Sequence, residues 1–174
     1  AFADAFELGR ARSHADTAVS STLEVASREI SRRALAAAAS VFPITGDPAA
    51  DALLREGMAL ERPRESCRDP RSVRFVAALR ALYEDRIEDA RRTMGDLAQA
   101  AEAAGAVTTQ AFLAYSSLIE RRAGSFAVAL ALADQSHDVA LQAGREAAVP
   151  LALHLRAQAL AHLGRAAEAR AVAE

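Results

Sequence analysis

The chain has 174 residues and a formal net charge of −2, with 21 positive side chains, all Arg, against 23 Asp plus Glu. Lys, Asn and Trp are absent and Ala supplies 46 residues, so only 44 larger apolar side chains remain. That is enough for one core or one layered stack of helices, not for two independent domains. The lack of lysine excludes a P-loop, a Schiff-base nucleophile and a lysine general base. The near-zero charge lacks the basic excess of a nucleic-acid-binding surface, so no direct nucleic-acid contact is expected.

No apolar run reaches bilayer-spanning length, and Ala1-Phe2-Ala3-Asp4 has no basic region leading into an apolar stretch, so neither a membrane span nor a signal peptide is expected. One cysteine, Cys67, cannot form an internal disulfide, and a reducing cytoplasm is the expected compartment. The start without Met and the uncapped helical pattern Ala169 to Glu174 lead us to expect a segment of a longer protein.

Ala, Leu, Arg and Glu favour helix, while Val, Ile and Thr together number 20 and no period-2 alternation is sustained. In chain order, Phe2, Phe6 and Leu8 predict a short helix ending near Gly9 or His14. A stripe of Val19, Leu23, Ala26, Ile30, Ala34, Ala37 and Val41 predicts a helix stopped at Phe42-Pro43. Asp47-Pro48 opens a helix to about Leu60. Glu61 to Arg68 reads as a charged loop, and Asp69-Pro70 is the next helix start.

From there the chain is punctuated. Glycines at 105, 124, 144 and 164 each follow a helical run, at the left-handed position just beyond a helix end, and the series extends back to Asp85. Helices are expected over 70–84, 86–104, 107–123, 125–143, 146–163 and from 165 onward, packed antiparallel across short turns. A longer period overlies them. Ile87, Ala90, Met94, Leu97 and Ala101 recur 39 residues on as Phe126, Ala129, Ala133, Ser136 and Ala140, and 40 further on as Ala166, Ala169 and Ala173. Twelve positions before each shared alanine stands a small residue, Ala78, Ser117 or Ala157, which lets paired helices approach closely. The expected fold is all-α, a tetratricopeptide-like array of antiparallel helical hairpins in a right-handed superhelical stack, with a period longer than the usual 34 residues. Residues 1–174 are expected to form a single helical-repeat domain, with 1–69 less regular and 70–174 carrying the repeats.

The stretches Glu84-Asp85-Arg86-Ile87-Glu88-Asp89-Ala90-Arg91, Arg122-Ala123-Gly124 and Leu163-Gly164-Arg165-Ala166-Ala167-Glu168-Ala169-Arg170 resemble the helical-repeat segment of large ATP-binding LuxR-type transcriptional regulators of actinobacteria. Asp51 to Gly57 and on through Pro70-Arg71-Ser72 is similar to the part preceding it, so the resemblance covers about two-thirds of the chain. It implies a non-catalytic sensor or interaction segment, with the nucleotide-binding module and the helix-turn-helix lying elsewhere in such proteins. A generic protein-binding scaffold unrelated to transcription is the alternative, and a small helical enzyme a third reading.

Cys67 lies near Arg64 and Arg68, which would favour its thiolate, but no His or Asp is placed to make a catalytic pair. Asp134-Gln135-Ser136-His137-Asp138 holds ligand-type residues without the convergence a metal needs. The pairs Arg32-Arg33, Arg91-Arg92 and Arg121-Arg122 sit beside Glu29, Asp89 and Glu120, so surface pairing is expected over phosphate binding. No cofactor or metal is expected. His154, Gln158 and His162 form a polar stripe at i, i+4 and i+8 on an otherwise Ala/Leu-rich helix. Counted back from Ala169 as in a tetratricopeptide hairpin, they line a concave groove, joined from the earlier repeats by Leu118, Arg121 and Arg122 and by Leu79, Leu82 and Tyr83. The expected occupant is a protein partner or a small effector, with self-association also open.

Overall fold

A computed structural model describes residues 8–22, 28–41 and 49–174. The described residues are helical throughout, without strands: α1 (Leu8–Thr22), α2 (Arg28–Val41), α3 (Ala50–Leu60), α4 (Pro63–Ser66), α5 (Val73–Tyr83), α6 (Ile87–Ala103), α7 (Thr109–Arg122), α8 (Phe126–Gln142), α9 (Val149–His162) and α10 (Ala166–Ala173). The expected roles of Phe2, Phe6, Leu23 and Ala26, and the signals Phe42-Pro43 and Asp47-Pro48, lie outside the described residues. The chain divides into two compact units, Ala1–Arg80 and Ala81–Glu174, with the division falling inside α5.

In the first unit α1 packs on α2 and α2 on α3. Two sequence expectations fail here. Helix α1 does not stop at Gly9 or His14 but runs to Thr22, with Ala15 and Val19 turned to the core. In α2 the apolar stripe is rotated from the expected one. Ile30 is 50% exposed and Ala37 is exposed, while Leu35, Ala36 and Ala38 are buried beside Arg32. The core they join comprises Ala50, Leu53, Leu54 and Val73. Packing is tight enough at Gly57 that an added Cβ would stand 2.9 Å from both methyls of Val73, so only glycine fits there.

The stretch 61–68 is not a solvated loop. It folds into the single turn α4 and buries Glu61, Ser66 and Cys67. Glu61 explains the closure. Its carboxylate accepts Arg32 Nη1 at 3.1 Å and the backbone N–H groups of Val73 and Arg74 at 3.0 Å each. Phe75 N–H is taken by Ser72 Oγ at 3.2 Å, and Val76 N–H by the Ser72 carbonyl at 3.1 Å. The first three donors of the α5 N-terminus are thereby satisfied by side chains and the fourth by a backbone carbonyl. This also moves the helix start from Asp69-Pro70 to Val73, since Asp69 holds a preceding turn, accepting Arg71 N–H at 2.9 Å on its carboxylate.

The second unit follows the repeat. Gly105, Gly124, Gly144 and Gly164 have φ of 55°, 79°, 63° and 75°, and Asp85 takes the same conformation at 58°. At each of the five turns the next residue donates its N–H to the carbonyl five positions back, Arg86 to Ala81, Ala106 to Ala101, Ser125 to Glu120, Arg145 to Ala140 and Arg165 to Leu160, at 2.8–2.9 Å. This is the glycine-centred closure of a helix C-terminus, repeated. Helix α9 begins at Val149, three residues later than expected, after a 3₁₀ turn over Glu146–Ala148, because Pro150 has no N–H to give and suits only a first helical turn.

Neighbouring helices run antiparallel. Ser117 Oγ donates to the Ala129 carbonyl at 2.7 Å and Ser136 Oγ to the Gln110 carbonyl at 2.7 Å, so a seven-residue retreat along α7 matches a seven-residue advance along α8. The positions facing the helix contacts are short. Ala90, Ala101, Ala129, Ala133 and Ala140 are wholly buried with Met94, Leu97 and Ser136; Ile87 and Phe126, which open the two stripes read from the sequence, are half-buried, and the third stripe, Ala166, Ala169 and Ala173, has no buried residue. Helix α9 then lays Leu155 against Ala114 and Ala133, with Leu118 at the edge.

Candidate functional site

The six residues expected to line a groove occupy helix ends and one face of α9. Tyr83 closes α5 and is 68% exposed. Arg121 and Arg122 close α7, half-buried and exposed respectively, while His154 and His162 are exposed and Gln158 half-buried on one face of α9. Tyr83, Arg122 and His162 stand seven residues before the three shared alanines, and all three are exposed, so one outward position recurs through three successive repeats.

Two of these side chains are held. Arg122 donates from Nη2 and Nε to one carboxylate oxygen of Asp85 at 2.9 and 3.2 Å, spanning from its own repeat to the turn of the one before. His162 stacks on Phe126, with ring centroids 4.5 Å apart and planes 3° from parallel. The structure therefore fixes Arg122 and His162 by the preceding repeat rather than bringing the six residues into contact. No hydrogen bond, ion pair or ring stack among the described residues joins two of the six. Arg121 is different, for its buried Nε has no hydrogen-bond partner. On the same helix Tyr115 is half-buried, and burial, followed by the neighbouring Tyr83 phenol, raises its pKa above the ordinary tyrosine value.

The remaining arginines are largely spent on acids. Arg91 makes a two-pronged bond across helices to Glu120, at 2.6 and 2.9 Å, and a third to Glu88. Its hydrogen bonds to Glu120 and Glu88 raise its pKa, so it stays a fixed cation. Arg92 pairs with Asp89, Arg33 with Glu29 at 2.8 Å, and Arg156 of α9 with Asp134 of α8 at 3.0 Å. This leaves little for phosphate at the Arg pairs, as the adjoining acids in the sequence suggested.

The segment Asp134 to Asp138 does not converge. Asp134 faces Arg156, Ser136 is buried on a carbonyl, and His137 meets Asp138 at 3.5 Å. Among the described residues no group of three or more His, Cys, Asp or Glu is placed to hold a metal ion. Cys67 forms no disulfide and is only 2% exposed, which closes it to reagents whatever the charges of its sequence neighbours. Nor is any described helix long and apolar enough to cross a membrane.

Two features lay outside the sequence reading. One is the buried ionic cluster of Arg32, where Glu29 at 2.9 Å and Asp69 at 3.4 Å join Glu61. The sequence places Glu29 beside Arg32 as a surface pair, and the structure corrects this by burying Arg32 to 3% exposure. The other is a shallow depression of about 490 Å³ along α1, lined by Gly9, Arg12, Ser13, Asp16, Thr17 and serines 20 and 21. It belongs to one helix face and brings no ionisable groups from other elements together. Comparison with protein-family models, curated proteins and solved structures returned no match.

Proposed function

We propose that the chain is a non-catalytic sensing or interaction segment that binds a protein partner or a small effector along the concave side of a tetratricopeptide-like array. The observation that carries this reading is the recurrence of one outward position, Tyr83, Arg122 and His162, in three successive repeats, with Arg122 and His162 anchored by the repeat before. Side chains held in place before a ligand arrives lose little freedom on binding, which favours such a strip as a recognition surface. Arg121, half-buried beside Arg122, adds a second cation to the same helix end.

The setting we infer is a cytoplasmic transcriptional regulator of the LuxR type, on the residues quoted above. The alternative, a protein-binding scaffold outside transcription, uses the same groove. The two are told apart by the coding sequence on either side: a nucleotide-binding module before and a helix-turn-helix after support the regulator. The groove itself is tested by a thermal-shift screen of the chain against metabolites and candidate peptides. A binder that raises the melting temperature of the parent chain is expected to lose that effect in the Tyr83→Ala/Arg121→Ala double variant and in His154→Ala/His162→Ala. Undiminished shifts in both variants would remove the groove assignment.

A further inference from the structure

The second unit segregates charge between its helices. Helices α7 and α9, each the first of a hairpin, carry one acid, Glu120, against three Arg and two His. Helices α6 and α8, each the second of a hairpin, carry six acids against two Arg and one His. Pairs between helices absorb part of the difference, since Arg91 of α6 holds Glu120 and Asp134 of α8 holds Arg156. Arg121, Arg122, His154 and His162 remain. Among the described residues only Arg122 of these four meets an acid, sharing one oxygen of Asp85 and keeping its Nη1 unengaged.

Three of the four are gathered at one end. Leu155 of α9 lies on Ala133 of α8 and His162 on Phe126, so α9 runs antiparallel to α8 and parallel to α7. The helix ends that carry Arg121, Arg122 and His162 therefore lie side by side. Their exposure does not come from an open edge, because Arg122 stays exposed with α9 packed on α7 through Leu155 and Leu118. His154 is set apart from them, since its counterpart one repeat earlier, Ala114, is covered by Leu155.

We infer that this strip of helix ends takes an extended peptide with acidic side chains three residues apart, one for Arg121 and Arg122 and the next for His162. The inference rests on the groove reading above and gives the occupant its chemistry. Packed helix axes stand about 8–10 Å apart, which an extended chain covers in about three residues. A cationic position in each of two adjoining repeats suits a chain running across them better than a compact anion held at one point. Guanidinium groups fork a carboxylate, and His162, its ring flat on Phe126, offers an N–H in either protonation state.

The probe is a dye-labelled peptide of Gly and Ser with Glu at every third position, titrated into the full chain and followed by anisotropy. Saturable binding is expected, and none for the same peptide with Gln in place of Glu. A peptide with its Glu residues adjacent is expected to bind about 2–5-fold more weakly. Arg122→Gln and His162→Gln in the chain are each expected to cost about 2–5-fold with the melting temperature held. Arg122→Glu is expected to lose the Glu peptide and to gain the corresponding Lys peptide. Equal binding by the Gln peptide, weakened by Tyr83→Ala, would overturn the acidic chemistry and leave the groove reading standing. Free glutarate binding as tightly as the peptide, at the same residues, would overturn the peptide as occupant. Peptide binding indifferent to all of these variants would take down both readings, and no binding at millimolar peptide would overturn this one.

Discussion

Arg32 and Glu61 form an ion pair at 3.1 Å with side chains 3% and 0% exposed, and the same carboxylate holds the first two N–H groups of α5. A buried charge deprived of its partner costs far more than the pair contributes net. Glu61→Ala leaves Arg32 with Glu29 and Asp69 only, and orphans two helix donors. It is expected to destabilise the first unit by about 3–5 kcal/mol in urea titrations, with Glu61→Gln, which keeps an acceptor, costing less.

The carboxyl of Glu29 is held below its ordinary value of 4.5, chiefly by the hydrogen bond from Arg32. A depressed folded pKa means stability that is present above the unfolded value and lost as pH falls through the folded one. The melting temperature is therefore expected to hold from neutral pH to about 4.5 and to fall progressively below it. Glu29→Gln should flatten that acid limb, and an unchanged slope would show that other carboxylates set it.

At the small-residue position, Ser117→Ala removes one hydrogen bond to a carbonyl that also serves its own helix, and Ala already occupies the counterparts 78 and 157. The expected cost is about 0.5–1.5 kcal/mol. Ser117→Leu forces α7 and α8 apart and is expected to cost more, with slower refolding or loss of cooperativity in denaturant melts. If the leucine variant matched the alanine one, close approach would not be what this position provides.

The left-handed turns are predicted to rank by backbone, not by space. An added Cβ at Gly124 meets nothing within 4 Å, yet φ of 79° penalises any side chain. Gly124→Ala is expected to cost about 1–2 kcal/mol. Asp85→Gly relieves the same strain while giving up an exposed pair with Arg122, so thermal unfolding should show it neutral or slightly stabilising, and Asp85→Val clearly destabilising.

Asp85 also shows what was legible beforehand. Its conformation was read from a spacing of about twenty residues set by four glycines, and the helix ends followed, because a left-handed residue is a local requirement written in residue type. The alanine stripes of α6 and α8 were legible for the same reason. The rotated face of α2 was not. Ile30 and Ala37 fit an apolar stripe as well as Leu35 and Ala38 do, and Arg32 turns inward only because Glu61, 29 residues away, meets it there. The charges in 61–68 read as solvated in the sequence, since nothing local shows that a helix terminus folds onto them. For the groove residues the sequence supplied positions. It did not supply the Asp85 and Phe126 contacts, which depend on how one repeat abuts the next.

The wholly buried alanines of the second unit carry a mechanical consequence. A methyl group has no rotamers, so Ala90, Ala129, Ala133, Ala140, Ala152 and Ala159 neither lose side-chain entropy on folding nor offer alternative packings afterwards. Interfaces built from longer side chains absorb a perturbation by rotamer exchange close to where it arises. Met94, Leu97 and Leu155 keep some of that buffer, but at these alanines there is none, and a displacement there is handed on as a slide of one helix against its neighbour, taken up at the left-handed turns. A ligand seated at one repeat would be felt at the next as a change of helix position.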